Sequence, residues 1–149
     1  MSKSSIRIAV PMIAAAILGL PALGLAQSVE EEVTAAYAAW DEAFNAGDAS
    51  AVSGAYTEEA LFLPATHDVI EGPGGVEEFF AGLFEMGVSD HKLDLIEARA
   101  EGDTVIGAAN WTASGKDGEG NDQPWGGIAT HVFERQDDGS LKLMLHTFN

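Results

Sequence analysis

Over residues 29–46 the apolar positions Val33, Tyr37, Trp40 and Phe44 recur at spacings of four, three and four, with Glu31, Glu32, Asp41, Glu42 and Asn45 between them. That period predicts an amphipathic helix with one apolar stripe. Its first turn carries Glu30, Glu31 and Glu32, the charge that suits the positive end of a helix dipole. Gly47 is a stop, and Asp48 is placed to cap a second short helix predicted over 49–56. The pattern then shortens. Residues 60–63 form an apolar run closed by Pro64, and 69–71 another closed by Gly72, both read as strands. Pro73 stands where a third helix begins, with Val76, Phe79, Phe80, Leu83 and Met86 as its stripe and Gly87 as its end.

Four stretches with strand character follow, 91–100, 104–114, 125–136 and 141–148, separated by turn-forming runs at 101–103, 115–122 and 137–140. Helices gathered ahead of consecutive hairpins predict an α+β domain, with a curved antiparallel sheet wrapped around three N-terminal helices. The chain has 149 residues, which is one domain's worth.

Composition changes the picture at the N-terminus and in the choice of partners. Residues 1–26 carry Lys3 and Arg7, then an apolar run, then Gly24-Leu25-Ala26 before Gln27. This is the order of a secretory signal peptide, cleaved near Ala26, and it predicts a domain of residues 27–149 working outside the cytoplasm, secreted or periplasmic. Removing Lys3 and Arg7 leaves five cations against 24 acids, a net charge of −19. Such a surface repels phosphate, so neither nucleic acid nor an anionic membrane is an expected partner. The chain has no cysteine, which removes thiol catalysis, thiolate metal sites and disulfides. The 115–122 loop looks like a calcium loop only superficially. Counted from Asp117 it lacks the glycine at the sixth position and has Ile128 in place of the bidentate glutamate. No metal and no cofactor is expected.

The helix ending Phe44-Asn45-Ala46-Gly47-Asp48, then Tyr56-Thr57-Glu58-Glu59-Ala60, Leu63-Pro64, Ile70-Glu71-Gly72 and a Phe-rich helix, resemble in order and spacing the SnoaL-like proteins. These belong to the nuclear-transport-factor-2-like superfamily, which also contains ketosteroid isomerases. The closing Asp138-Gly139-Ser140-Leu141-Lys142-Leu143 to Phe148-Asn149 is similar to the last strand of an exported branch of that group. The resemblance implies a conical, barrel-like α+β fold with an apolar pocket between helices and concave sheet, and a homodimer formed through the convex face. It does not carry over the isomerase residues. Leu63 stands where the general-base aspartate would be, Trp40 where the oxyanion tyrosine would be, and Thr130 where the second acid would be. The dehydratase and epoxide-hydrolase members build their sites on Asp with His and on Asp with Arg. Asp94 and Arg99 have the right types, but their odd separation on one strand sends them to opposite faces unless a bulge intervenes.

The candidate site is therefore assembled from side-chain chemistry. Trp40, Tyr56, Leu63, Trp111 and Thr130 are the ligand-binding candidates, with Trp111 flanked on its face by Ala109 and Ala113. Trp125, beside Gly126-Gly127, is read as a rim or partner residue, and His67 and His91 as solvated. His146 is the candidate general acid or base, because an unperturbed imidazole titrates near neutral pH. Its face depends on the last hairpin. A type I turn with a glycine bulge at Gly139 sets His146 against Thr130; a two-residue turn at Asp138-Gly139 sets it against His131. The bulged form is preferred, which puts Ile128, Thr130, Val132, Met144, His146 and Phe148 on the pocket face and His131 and Phe133 outward. Apolar residues at both parities of 141–148 support a homodimer, since a sheet with one buried face would not need both. Two functions follow. The preferred one is a domain that binds a small apolar molecule; the other is an isomerase, cyclase or hydrolase using His146. One histidine without an orienting acid is a thin catalytic apparatus.

Overall fold

A computed structural model describes residues 27–149, so the expected signal peptide lies outside the described residues. The elements run α1 (Val29–Asn45), α2 (Ala49–Ser53), β1 (Tyr56–Leu63), β2 (Ile70–Glu71), α3 (Gly72–Glu85), β3 (Ser89–Glu101), β4 (Thr104–Lys116), β5 (Asp122–Arg135) and β6 (Leu141–Phe148). A capping box opens α1: the Ser28 hydroxyl accepts from the Glu31 N–H while the Glu31 carboxylate accepts from the Ser28 N–H. Asp48 caps α2 through the Ala51 N–H. That helix is shorter than its sequence implies, because Gly54 ends it and Tyr56 already belongs to β1.

The sheet has the order β2-β1-β6-β5-β4-β3. Strands β3 to β6 form the antiparallel meander, but β1 lies parallel to β6, so the sheet is mixed and not wholly antiparallel. It is also open. The two-residue β2 and the long β3 are its edges, which corrects the expectation of barrel-like closure. α1 packs on β3, and α3 on β1 and α2. The α1 stripe read from the sequence, Val33, Tyr37, Trp40 and Phe44, is buried, together with Val76 and Phe80 of α3. From the sheet, Phe62, Val105, Ala109, Phe133 and Leu143 complete that core.

Register decides which strand residues meet it. The last hairpin has the bulged turn, with the Gly139 N–H donating to the Gln136 carbonyl and Gly139 at a φ of 83°. The pairs Arg135 with Leu141, Glu134 with Lys142 and Phe133 with Leu143 follow from it. A second irregularity then leaves Met144 without a partner, and from Val132 with Leu145 onward the register has moved by one. His146 consequently pairs with His131, and Thr130 with Thr147. Ala129, His131 and Phe133 are buried, while Ile128 and Met144 are exposed on the opposite face. The expected pocket face of β5 is thus reversed, because a bulge within the strand cancels the phase set by the bulge at the turn.

Candidate functional site

Between α1, α3 and the concave side of the sheet lies a cavity of about 330 Å³. Trp40 and Phe44 line it from α1, and Phe79, Phe80 and Leu83 from α3. The sheet adds His91, Leu93, Trp111, Ala113, Trp125, Ala129, His146 and Phe148, and the loop after β1 adds Ala65 and Thr66. The wall is apolar apart from two imidazoles and one threonine. Trp111 is anchored by its indole N–H, which donates to the Asn149 carbonyl at 3.2 Å. Trp125 is a wall residue rather than a rim or partner contact. Its indole lies flat over Gly115, where a Cβ would stand 2.1 Å from the ring, so only glycine seats it.

Three of the expected ligand-binding residues are elsewhere. Leu63 alternates with the buried Phe62, pairs with Thr147, and does not line the cavity. Thr130 is on the outer face with Thr147, for the register reason given above. Tyr56 is fully buried behind the cavity, and its hydroxyl meets His146 Nδ1 at 2.7 Å instead of pointing to a cleft mouth. Asp94 and Arg99 do share a face, because a bulge at Ile96 intervenes, but they pair with Asn110 and Ile106 and are exposed on the outer side.

The polar group the sequence reading missed is His91. A strand start implies a solvated ring, yet its side chain is only 9% exposed and its Nδ1 lies 2.7 Å from Asp41 Oδ1. The other Asp41 oxygen accepts the Leu93 N–H at 2.9 Å. One helical turn on, Asn45 accepts the His91 N–H at 2.7 Å and donates to the His91 carbonyl at 2.8 Å. Asp41 and Asn45, at i and i+4 on one flank of α1, therefore hold both the ring and the backbone of His91. A carboxylate can only accept, so Nδ1 carries a proton, and in the neutral ring Nε2 keeps its lone pair. Among the described residues Nε2 has no protein partner, and the ring lines the cavity. An Asp at i and an Asn at i+4 beside an extended segment starting with His was the signal available in the sequence.

Behind this pair is a buried set of four groups. Tyr37 meets His131 Nδ1 at 2.8 Å, and the His131 and His146 rings are 4.5 Å apart between centroids. Gly107 makes room for the first of these contacts, since a Cβ there would stand 2.5 Å from the Tyr37 hydroxyl. Burial, reinforced by the nearby His91, pushes His131 down to about 3. Burial, then the neighbouring His131 and His91, holds His146 well below its ordinary 6.5. Desolvation raises both tyrosines above their ordinary 10. All four are neutral near pH 7. A neutral, buried His146 is not the titrating acid or base that its residue type promises in isolation. Among the described residues no three His, Asp or Glu side chains converge as metal ligands do.

The model of the SnoaL-like domain matches residues 37–144. The chain belongs to the SnoaL-like family. Solved structures similar to this SnoaL-like domain include a ketosteroid isomerase-like protein from Erwinia carotovora atroseptica, with a TM-score of 0.69 and 19% identity over 78% of this chain and 92% of that one. An ntf2-like protein with a cystatin-like fold from Novosphingobium aromaticivorans gives 0.67 and 17% identity over 80% of each chain. An NTF-2 like protein from Shewanella oneidensis gives 0.65 and 15% over 80% of this chain and 97% of that one. At these identities the likeness is one of fold. No curated protein sequence matches the chain.

Proposed function

We propose that this SnoaL-like domain binds a small apolar molecule in the cavity between helices and sheet and moves a proton on it, with His91 as base and Asp41 as its orienting acid. The observation that carries the reading is the 2.7 Å Asp41–His91 contact at the wall of an otherwise apolar cavity. An imidazole with one nitrogen fixed by a carboxylate and the other free at an apolar cavity is the arrangement general-base catalysis requires. Binding alone needed no such pair. The orienting acid that His146 lacks is present at His91, which tilts the balance from a binding domain to an enzyme of the isomerase or cyclase kind.

The test is solvent exchange. A panel of apolar ketones and lactones is incubated with the protein in D₂O and followed by proton NMR, with binding read from the fluorescence of Trp40, Trp111 and Trp125. Wild type is expected to exchange the acidic C–H of those compounds that bind. His91→Gln should slow exchange on the order of 10²- to 10⁴-fold while binding persists. Binding without exchange of any compound would leave only the binding domain.

Two further features belong to this reading. The helices fill the concave side of a cone, and its outer face, with Leu61, Ile106, Ile128 and Met144 exposed, is the surface of a homodimer. Light scattering at micromolar concentration should give twice the chain mass, and a monomer mass would remove the dimer. Residues 1–26 direct the protein out of the cytoplasm, on the sequence pattern alone. Mass spectrometry of the exported material should find Gln27 at its N-terminus, and retained residues 1–26 would count against cleavage.

A further inference from the structure

The Tyr37–His131 pair has a side that the proton-transfer reading leaves unused. His131 is 2% exposed, and its Nδ1 lies 2.8 Å from the Tyr37 hydroxyl, which has no other partner among the described residues. A proton on Nδ1 would leave the buried tyrosine O–H with nothing to donate to, whereas an O–H donated to Nδ1 is satisfied. His131 therefore carries its proton on Nε2, and no protein group accepts it there. Among the described residues, the side-chain polar atom that is both sealed and unpartnered is Trp40 Nε1. His131 Nε2 is thus not sealed, and it opens on the space that its ring lines. Packing alone does not ask for a histidine here, since phenylalanine would fill the place with no N–H to satisfy.

That space is a groove of about 440 Å³ between α1, the turn that joins α2 to β1, and the β5–β6 hairpin. It is a different place from the apolar cavity. Trp40 and Leu93 stand in the wall of both, but His91 and His146 line only the first and His131 only the second. Its size falls within the roughly 300–1,000 Å³ of small-molecule sites. Small side chains make the room: Ala36 and Ala39 line it from α1, Ala51 from α2, and Gly54 and Ala55 from the turn that follows. Among the described residues the one charged side chain lining it, Glu32, is already paired with Arg135 at 2.5 Å. We propose that this groove is a second ligand site, separate from the first, which takes an uncharged and mainly apolar molecule through one accepting oxygen placed on the His131 Nε2–H. An anion would meet the Glu32 carboxylate in a chain of net charge −17. A cation would find a donor on an apolar floor, and nothing there would replace its hydration.

The probes are 1-phenylethanol and cumene, which differ by a hydroxyl in place of a methyl. In protein labelled with ¹³C at alanine methyls and ¹⁵N at histidine, 1-phenylethanol should shift Ala36, Ala39, Ala51 and Ala55 along one saturating curve and move the His131 Nε2–H signal. Cumene should bind there roughly 3- to 10-fold more weakly. Tyr37→Phe combined with His131→Phe removes both members of the buried pair and should bring the two affinities together. Ala39→Leu, at an exposed helix position, should abolish the saturable shifts in the groove and leave any shifts of Ala113 and Ala129 in the apolar cavity. A millimolar titration in which no groove methyl moves, or in which shifts are confined to Ala65, Ala113 and Ala129, overturns the second site. Equal affinity of the wild type for the two probes overturns the accepting oxygen. A His131 proton on Nδ1 overturns the donor, and these wild-type results decide the matter even where the double variant does not fold.

Discussion

Acidification from pH 7 to 4.5 is expected to destabilise the domain by about 3 kcal/mol through His131 alone, with His146 adding in the same direction. In the unfolded chain a histidine titrates near 6.5, whereas burial pushes His131 down to about 3 in the folded state. Between those values the unfolded chain holds the proton and the folded chain does not. Stability therefore rises with pH across that window and is lost as pH falls through it. His146 is depressed for the same first reason, burial, and then by its two histidine neighbours. The loss compares with a total of about 5–15 kcal/mol for a domain. Acid also relieves repulsion among the 24 acidic side chains, which offsets part of it. Urea melts at the two pH values, with proton uptake on unfolding measured at pH 5, check the sign and size. A midpoint as high at pH 4.5 as at pH 7, or unfolding without proton uptake, would sink the account.

Asp41→Asn is expected to slow proton exchange on the bound ketone on the order of 10²- to 10⁴-fold while leaving affinity within roughly twofold. The amide is nearly isosteric. Its oxygen can still accept the Leu93 N–H, so its NH₂ then faces His91 Nδ1, 2.7 Å away in the wild type. A donor there forces Nδ1 to accept, moves the proton to Nε2, and removes the lone pair that the reaction needs. Because Asp41 is not a cavity-lining residue, binding should be spared, and the loss should appear in the exchange rate rather than in the dissociation constant. Exchange at the wild-type rate in Asp41→Asn, with the fold intact, would show that His91 does not need its acid.

The placing of the His91 ring and of the His146 ring shares one cause. In both, a side chain from outside the strand fixes the ring, Asp41 from α1 in one case and Tyr56 from β1 in the other. Neither partner is close in sequence to its histidine, so residue type alone showed neither contact. His146 looked like the titrating group because it is a histidine expected on an apolar wall, yet that same burial keeps it neutral. His91 looked solvated because the sequence puts it at a strand start. The contact with α1 encloses it.

The sequence by itself determined the α1 stripe of Val33, Tyr37, Trp40 and Phe44, the break at Gly47, and the helix-then-meander order. It also favoured the bulged turn at Gly139 over the two-residue one, which the structure has. Each of these depends on neighbours within a few residues: a 3.6-residue period, a residue that tolerates positive φ, a proline that cannot continue a strand. Only the tertiary structure decided the parallel pairing of β1 with β6, the open edge at β3, and the bulges at Ile96 and Met144. A bulge leaves no period in the sequence, because it answers to the twist and curvature of the whole sheet. One extra residue at Met144 exchanged the two faces of β5 relative to expectation, setting His131 rather than Thr130 beside His146 and Thr130 outside.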